Sequence, residues 1–239
     1  MPATKSIKPL FVSLCLALFA VGSASAPSIP EGPDRELSFD GLVRVKHSQF
    51  TRAWVDPDID LSRYTKIMGG GAQFQFRAVR KPPSTEAGRM SSRAGEKGFP
   101  ISDANRTKLI DIVNETFDQE LAKSTRYTMV EEKGDDVLMI RGAMLDIVSF
   151  VPPQQVGRTE VFLSSVGEIT LVLELVDSVS GEVLARAAER RNLETQGGTM
   201  RSTPVTNWSQ VRRLARTWAT RLRKGIDDFP INPGSNSDE

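Results

Sequence analysis

Read from the amino terminus, the spacing of apolar residues changes several times, and each change marks an element. Residues 41–55 (GLVRVKHSQFTRAWV) are rich in β-branched and aromatic side chains and close on the turn-forming DPDID, which predicts a strand. In residues 64–79, Phe74, Phe76 and Ala78 alternate with Gln73, Gln75 and Arg77, the two-residue period of a strand with one buried face. Ser102 stands at the N-cap position of a helix running to about Lys123, on which Leu109, Ile110, Val113, Phe117 and Leu121 form one stripe. Residues 127–132 and 136–151 read as strands separated by a Lys133-Gly134-Asp135 turn, and Pro152-Pro153 stops the second. Residues 168–176 set Ile169, Leu171, Leu173 and Leu175 on one face. After the turn DSVSG, residues 183–195 return as a more polar strand, which predicts a place near a sheet edge. A last helix, residues 207–229, carries Trp208, Val211, Leu214, Ala215, Trp218, Leu222 and Phe229 on one face, with Asn207 and Gln210 in capping-box spacing.

This order, with an antiparallel meander in its second half, predicts an α+β fold: a single mixed or antiparallel sheet covered on one face by two helices. The domain spans residues 40–229. Before it, the Pro-rich, charged stretch PSIPEGPDREL places a flexible linker at 25–39, and residues 230–239 read as a disordered tail. Residues 80–101 form a long polar stretch without periodicity, of the kind that is functional or mobile in compact domains.

The first residues change the picture of where the chain works. Lys5 and Lys8 precede a 12-residue apolar run (LFVSLCLALFAV) and the small residues GSASA, the layout of a secretory signal peptide, and the run is too short for a permanent membrane span. Cleavage after Ala26 would put Pro27, which lacks an N–H, just past the scissile bond. Cleavage after Ala24 avoids that, so residues 1–24 are assigned to the leader. Cys15, the single cysteine, follows Leu14 inside the apolar run, a poor setting for lipidation. The mature chain is expected to hold no thiol, and therefore no disulfide, cysteine nucleophile or cysteine metal site. Losing the leader takes the net charge from +1 to −1, which argues against nucleic acid as a partner.

Four groups invite a chemical reading. Gly69, Gly70 and Gly71 could suggest a phosphate loop, but such a loop opens a helix and is followed by Lys-Ser or Lys-Thr. Here the glycines run into a strand, which points to a bulge, a bend or a close backbone crossing. His47 is the single histidine and would have to serve any Ser-His-Asp triad. It sits in VRVKHSQF, an ordinary strand pattern, and the chain has no G-x-S-x-G turn. Asp56, Asp58 and Asp60 alternate like the start of a calcium loop, yet Leu61 and Ile67 occupy the positions that need Gly and Glu, so turn chemistry accounts for them. Arg212, Arg213, Arg216, Arg221, Arg223 and Lys224 are cations with no acid between residues 207 and 225. On a helical wheel Arg212, Arg216 and Arg223 fall within about 40° of each other. They form a candidate basic face for an anionic partner, the alternative being a solvated face paired with Asp227 and Asp228.

At residues 55–66 (VDPDIDLSRYTK), 137–148 (VLMIRGAMLDIV) and 173–191 (LELVDSVSGEVLARAAERR), followed by Trp208 and Trp218, the chain resembles a family of bacterial lipoproteins known as a domain of unknown function, number 3313. The resemblance covers roughly residues 40–229 and implies a Gram-negative envelope protein with no assigned activity and no site residues to carry over. Many members look lipidated, and the placement of Cys15 departs from that pattern.

The resulting expectation is an exported cell-envelope interaction module, non-enzymatic and without a cofactor or metal. Its place is the periplasm or the outer membrane's inner surface, with an envelope protein or an anionic envelope component as partner and peripheral membrane association open to it. A carboxylate-dependent hydrolase of envelope glycan is the alternative, with Asp58, Asp60 and Glu160 as its first candidates. A third reading is strand addition at a sheet edge near residues 183–195.

Overall fold

A computed structural model describes residues 27–30, 32, 35–79, 98–152, 160–195 and 198–229. The assignments of a leader at 1–24, of Cys15, of a tail at 230–239 and of most of the polar stretch 80–101 lie outside the described residues.

The strands are β1 (Val43–Arg44), β2 (Arg52–Val55), β3 (Lys66–Phe76), β4 (Thr128–Met129), β5 (Val137–Ser149), β6 (Phe162–Leu163), β7 (Ser165–Asp177), β8 (Val183–Glu194) and β9 (Met200–Arg201); the helices are α1 (Asp103–Leu121) and α2 (Pro204–Asp227). Seven strands form one mixed sheet in the order β1-β2-β8-β7-β5-β3-β4, and β6 pairs with β9 apart from it. β5, β7 and β8 form the antiparallel meander. β3 runs parallel to β5 and β4, as a strand must when a helix carries the chain back across the sheet. The α+β class with two helices on one sheet face is what the periodicity predicted.

Alternation assigns the faces. Leu138, Ile140, Leu171, Leu173 and Ile169 are buried and join the helix residues Leu109, Val113, Val211, Trp218 and Leu222 in one core. The opposite sheet face carries charge: Arg77 donates to both Asp146 and Glu168, Arg190 pairs with Glu168, and Arg186 bridges Asp40 and Glu174. The edge expectation for β8 is corrected in its first half, where β2 pairs with Ala185–Ala188; beyond Ala188 its one strand neighbour among the described residues is β7. Strand addition therefore loses its premise over residues 184–188, while Arg190, Arg191, Asn192 and Glu194 in the uncovered half are exposed. The outermost strands, β1 and β4, are two residues each, which blunts the sheet edges.

The first predicted strand is broken. β1 ends at Arg44, β2 begins at Arg52, and exposed His47 lies between them with a positive φ of 58°. Ser48 makes the turn by accepting from Phe50 N and donating to Phe50 O. Within the stretch read as a tether, Ser28 exchanges backbone hydrogen bonds with Lys46, and Arg44 N donates to Glu36 O, so the domain begins earlier than residue 40.

The three glycines sit in a bulge: the β3–β5 register shifts between Gly69 and Ala72. A Cβ on Gly70 would lie 2.7 Å from Met139 Cγ, and Gly71 has φ 84°, so close approach and backbone hand require glycine at these two positions. At Gly69 neither holds. Gly71→Ala should therefore cost about 1 kcal/mol while Gly69→Ala is neutral or slightly stabilising, read as midpoint shifts in urea denaturation. Equal loss from both would refute the bulge account.

Candidate functional site

The helices run parallel with their N-termini at one end of the sheet. Asn105 and Leu109 meet Asn207, Trp208 and Val211 at that end, while Thr220 donates to Glu120 and Ser124 to Asp227 at the other. Ser102 caps α1 as expected, accepting from Asn105 N. α2 starts earlier than residue 207. Thr203 is its N-cap, reciprocated by Thr206 in a capping box, and Pro204 occupies the first turn, where its missing N–H leaves no bond unmade. Asn207 instead donates to Ser202 Oγ at 3.0 Å.

Between these helix starts and the sheet end lies a groove of about 500 Å³. Ile147, Val166, Ile169, Leu193 and Val211 form its apolar lining, and Ser102, Asn105, Ser202, Thr203 and Asn207 supply polar groups at its wall. This is the size and make-up of a small-molecule site. Trp208 stands at one side with the Lys108 ammonium 5.0 Å from its ring centre. Residues 208, 212 and 216 follow at intervals of four, so Arg212 and Arg216 continue the column beyond Trp208. Both arginines are exposed, with no ion pair or hydrogen-bonding partner among the described residues.

Of the other members of the expected basic face, Lys224 is exposed, and Arg213, Arg221 and Arg223 are used internally. Arg223 is largely covered and pairs with Asp227 at 3.2 Å, which takes it out of the set. Arg213 donates to Glu194 O at 2.6 Å. Arg221 turns inward to Glu189, whose side chain is 0 % exposed. That carboxylate accepts from Arg221 Nη1 at 3.0 and 3.1 Å, Arg191 Nε at 2.7 Å, Trp218 Nε1 at 2.9 Å and the Thr51 hydroxyl at 3.3 Å. A helical wheel counts angles on one helix and has no view of a carboxylate arriving from β8. The buried Glu189 cluster is the feature that sequence reasoning missed. Its one sequence signal is an inward position, shared with Leu171 across the ladder, occupied by an acid.

Glu160 does not pair with Asp58 or Asp60. Asp56 and Asp60 accept from the backbone N–H of Asp58 and Ser62, at 2.7 and 2.8 Å, as turn-forming aspartates do. The hydrogen bonds from Ser62, its backbone N–H first, hold Asp60 below the usual carboxylate range. Asp56 N is bonded to Leu184 O at the start of β8, whereas Glu160 pairs with Arg201 beyond its far end. A strand of that length separates them by roughly 30 Å, well outside the range for two carboxylates sharing a glycosidic bond. His47 is exposed between β1 and β2. Among the described residues no group of three or more His, Cys, Asp or Glu is placed to hold a metal ion, and no helix is long and apolar enough to cross a membrane.

No curated protein matches the chain. Similar solved structures include the PelC dodecamer from Paraburkholderia phytofirmans, at 13 % identity and TM-score 0.33, covering 72 % of this chain and 96 % of that one. The protein XCC0632 from Xanthomonas campestris, of family DUF330, matches at 10 % identity and TM-score 0.40, covering 71 % and 86 %. A PDZ domain protein from Parabacteroides distasonis matches at 16 % identity and TM-score 0.36, covering 74 % and 35 %. The sequence profile described as Protein of unknown function (DUF3313) matches residues 36–222, and the chain belongs to that family.

Proposed function

We propose that the protein is an exported, non-catalytic binding module of the bacterial cell envelope, acting in the periplasm or against the inner surface of the outer membrane. Its ligand is an anionic amphiphilic component of that envelope. The observation that carries this reading is the groove of about 500 Å³, with an apolar lining and Trp208 at its wall, and with Arg212 and Arg216, unpaired among the described residues, following Trp208 along α2. An apolar portion of the ligand lies on Ile147, Val166 and Val211, and its negative group meets the arginines. Exposed Asp111, Glu115 and Asp118 on α1 keep the overall field modest, so the attraction is local and salt-sensitive.

The test is co-sedimentation with vesicles of phosphatidylethanolamine containing phosphatidylglycerol, against neutral vesicles. Reversing charge in an Arg212→Glu/Arg216→Glu variant should weaken binding roughly 10- to 30-fold, at about 1 kcal/mol per basic side chain near an anionic surface. An unchanged midpoint of thermal unfolding separates this from misfolding. Equal sedimentation of the variant and the natural chain would refute the anionic-ligand reading, and recovery of uncleaved protein from the cytosol of native cells would refute export.

A further inference from the structure

A second cavity, of about 110 Å³, shares no lining residue with the groove and lies at the opposite end of α2. Leu222, Ile226 and Phe229 close it from above, and Leu173, Leu175 and Ile140 form its floor on the sheet. It is half-enclosed, with Pro27, Ser48 and Gln49 near the β1–β2 turn among its lining.

Small residues keep this space open. Ala53, Ala185 and Ala187 line it from β2 and β8, although alanine is a poor strand former, and Gly225 lines it from the last turns of α2. Glycine inside a helix is unfavourable. Here the chain's own packing does not require it: Gly225 has no positive φ, and a Cβ built on it meets no atom within 4 Å. Larger side chains at these positions would fill the space and stabilise the fold, as cavity filling commonly does. Walls this apolar offer water few partners and, at this size, accept a small apolar group.

We propose that this cavity is a binding site for the end of an unbranched hydrocarbon chain. The open side lets a chain longer than the cavity enter end-first, leaving its polar part in water near Ser48 and Gln49. A rigid, bulky hydrocarbon has no such route. The site is independent of the groove, and neither Arg212 nor Arg216 belongs to it.

The test is titration of the full mature chain with octanoate below its micelle concentration, following methyl NMR signals of Ala185, Ala187, Leu222 and Ile226. Saturable shifts of these methyls and of the floor residues Ile140, Leu173 and Leu175, with none at the groove residues Val166 and Val211, are expected, with at least tenfold weaker binding of adamantane carboxylate. Gly225→Leu and Ala187→Leu, each checked for a native spectrum, should reduce octanoate affinity at least tenfold, while Arg212→Glu/Arg216→Glu leaves it unchanged. Absence of saturable shifts in the natural chain overturns the proposal whether or not the variants fold. So do shifts that persist in a folded, filled variant, or equal binding of the bulky acid.

Discussion

Replacing Glu189 by Ala should lower stability by about 3–5 kcal/mol, the largest loss expected from any single change in this protein. The carboxylate is fully covered and holds together β8, the Thr51 turn and α2 through Arg191, Arg221, Trp218 and Thr51. Its removal strands the Trp218 indole N–H, on a side chain only 1 % exposed, and leaves a void beside it. Arg191 and Arg221 are partly exposed and can turn to water, which favours the lower end of that range. Glu189→Gln keeps an acceptor for Trp218 and should lose about half as much. The readout is urea denaturation at neutral pH, with a reduced midpoint and an unchanged slope. A loss under 1 kcal/mol for Glu189→Ala would show that the cluster does not hold the helix to the sheet.

Asp177→Ala should follow at about 3 kcal/mol, because it opens the β7–β8 turn and releases the segment after β2 together. Asp177 is 3 % exposed and accepts from Ser180 N, Val179 N, the Ser180 hydroxyl, the Tyr64 hydroxyl and Arg63 Nη2. Burial alone would raise its pKa. The hydrogen bonds, led by Ser180 N and the Tyr64 hydroxyl, outweigh it and lower the value to about 2 from 3.8. A depressed carboxylate stabilises the fold above its unfolded value, so this contribution is complete above about pH 4 and is lost as pH falls through about 2. Acid titration of unfolding should show a natural-chain stability that drops across that window. In Asp177→Asn the drop should be smaller, with a residual slope from Asp40, which Arg186 also holds at about 2. An identical acid profile for both chains would refute the assignment.

Local chemistry was readable at many points. The period-two run in β3, the stripe on α1 and the Ser102 cap follow from properties of adjacent residues and survive in the fold. So does the reading of the triple glycine as a bulge. The α1 stripe was too narrow, because Ile112 and Glu120 are also buried once α2 lies alongside. The DPDID segment was read as a turn, and its aspartates do make turns, yet Ile59 within it and Leu61 just after it are buried in the core.

The candidate site was legible only in part. Arg212 and Arg216 stand exposed on one face of α2, as the wheel implied, whereas Arg223 and Arg221 are claimed by Asp227 and Glu189. The groove beside Trp208 could not be read at all, since its lining comes from segments spread between residues 100 and 211.

From the sequence alone came element types, the α+β class and family membership, because periodicity, capping and turn preference act over a few neighbouring residues. Tertiary structure alone decided that β2 covers the first half of the polar strand β8, that one arginine meets solvent while another meets a buried carboxylate, and that two separate apolar spaces flank α2. Each of these depends on which distant segment comes within a few ångströms, and that is set by the packing of the whole chain.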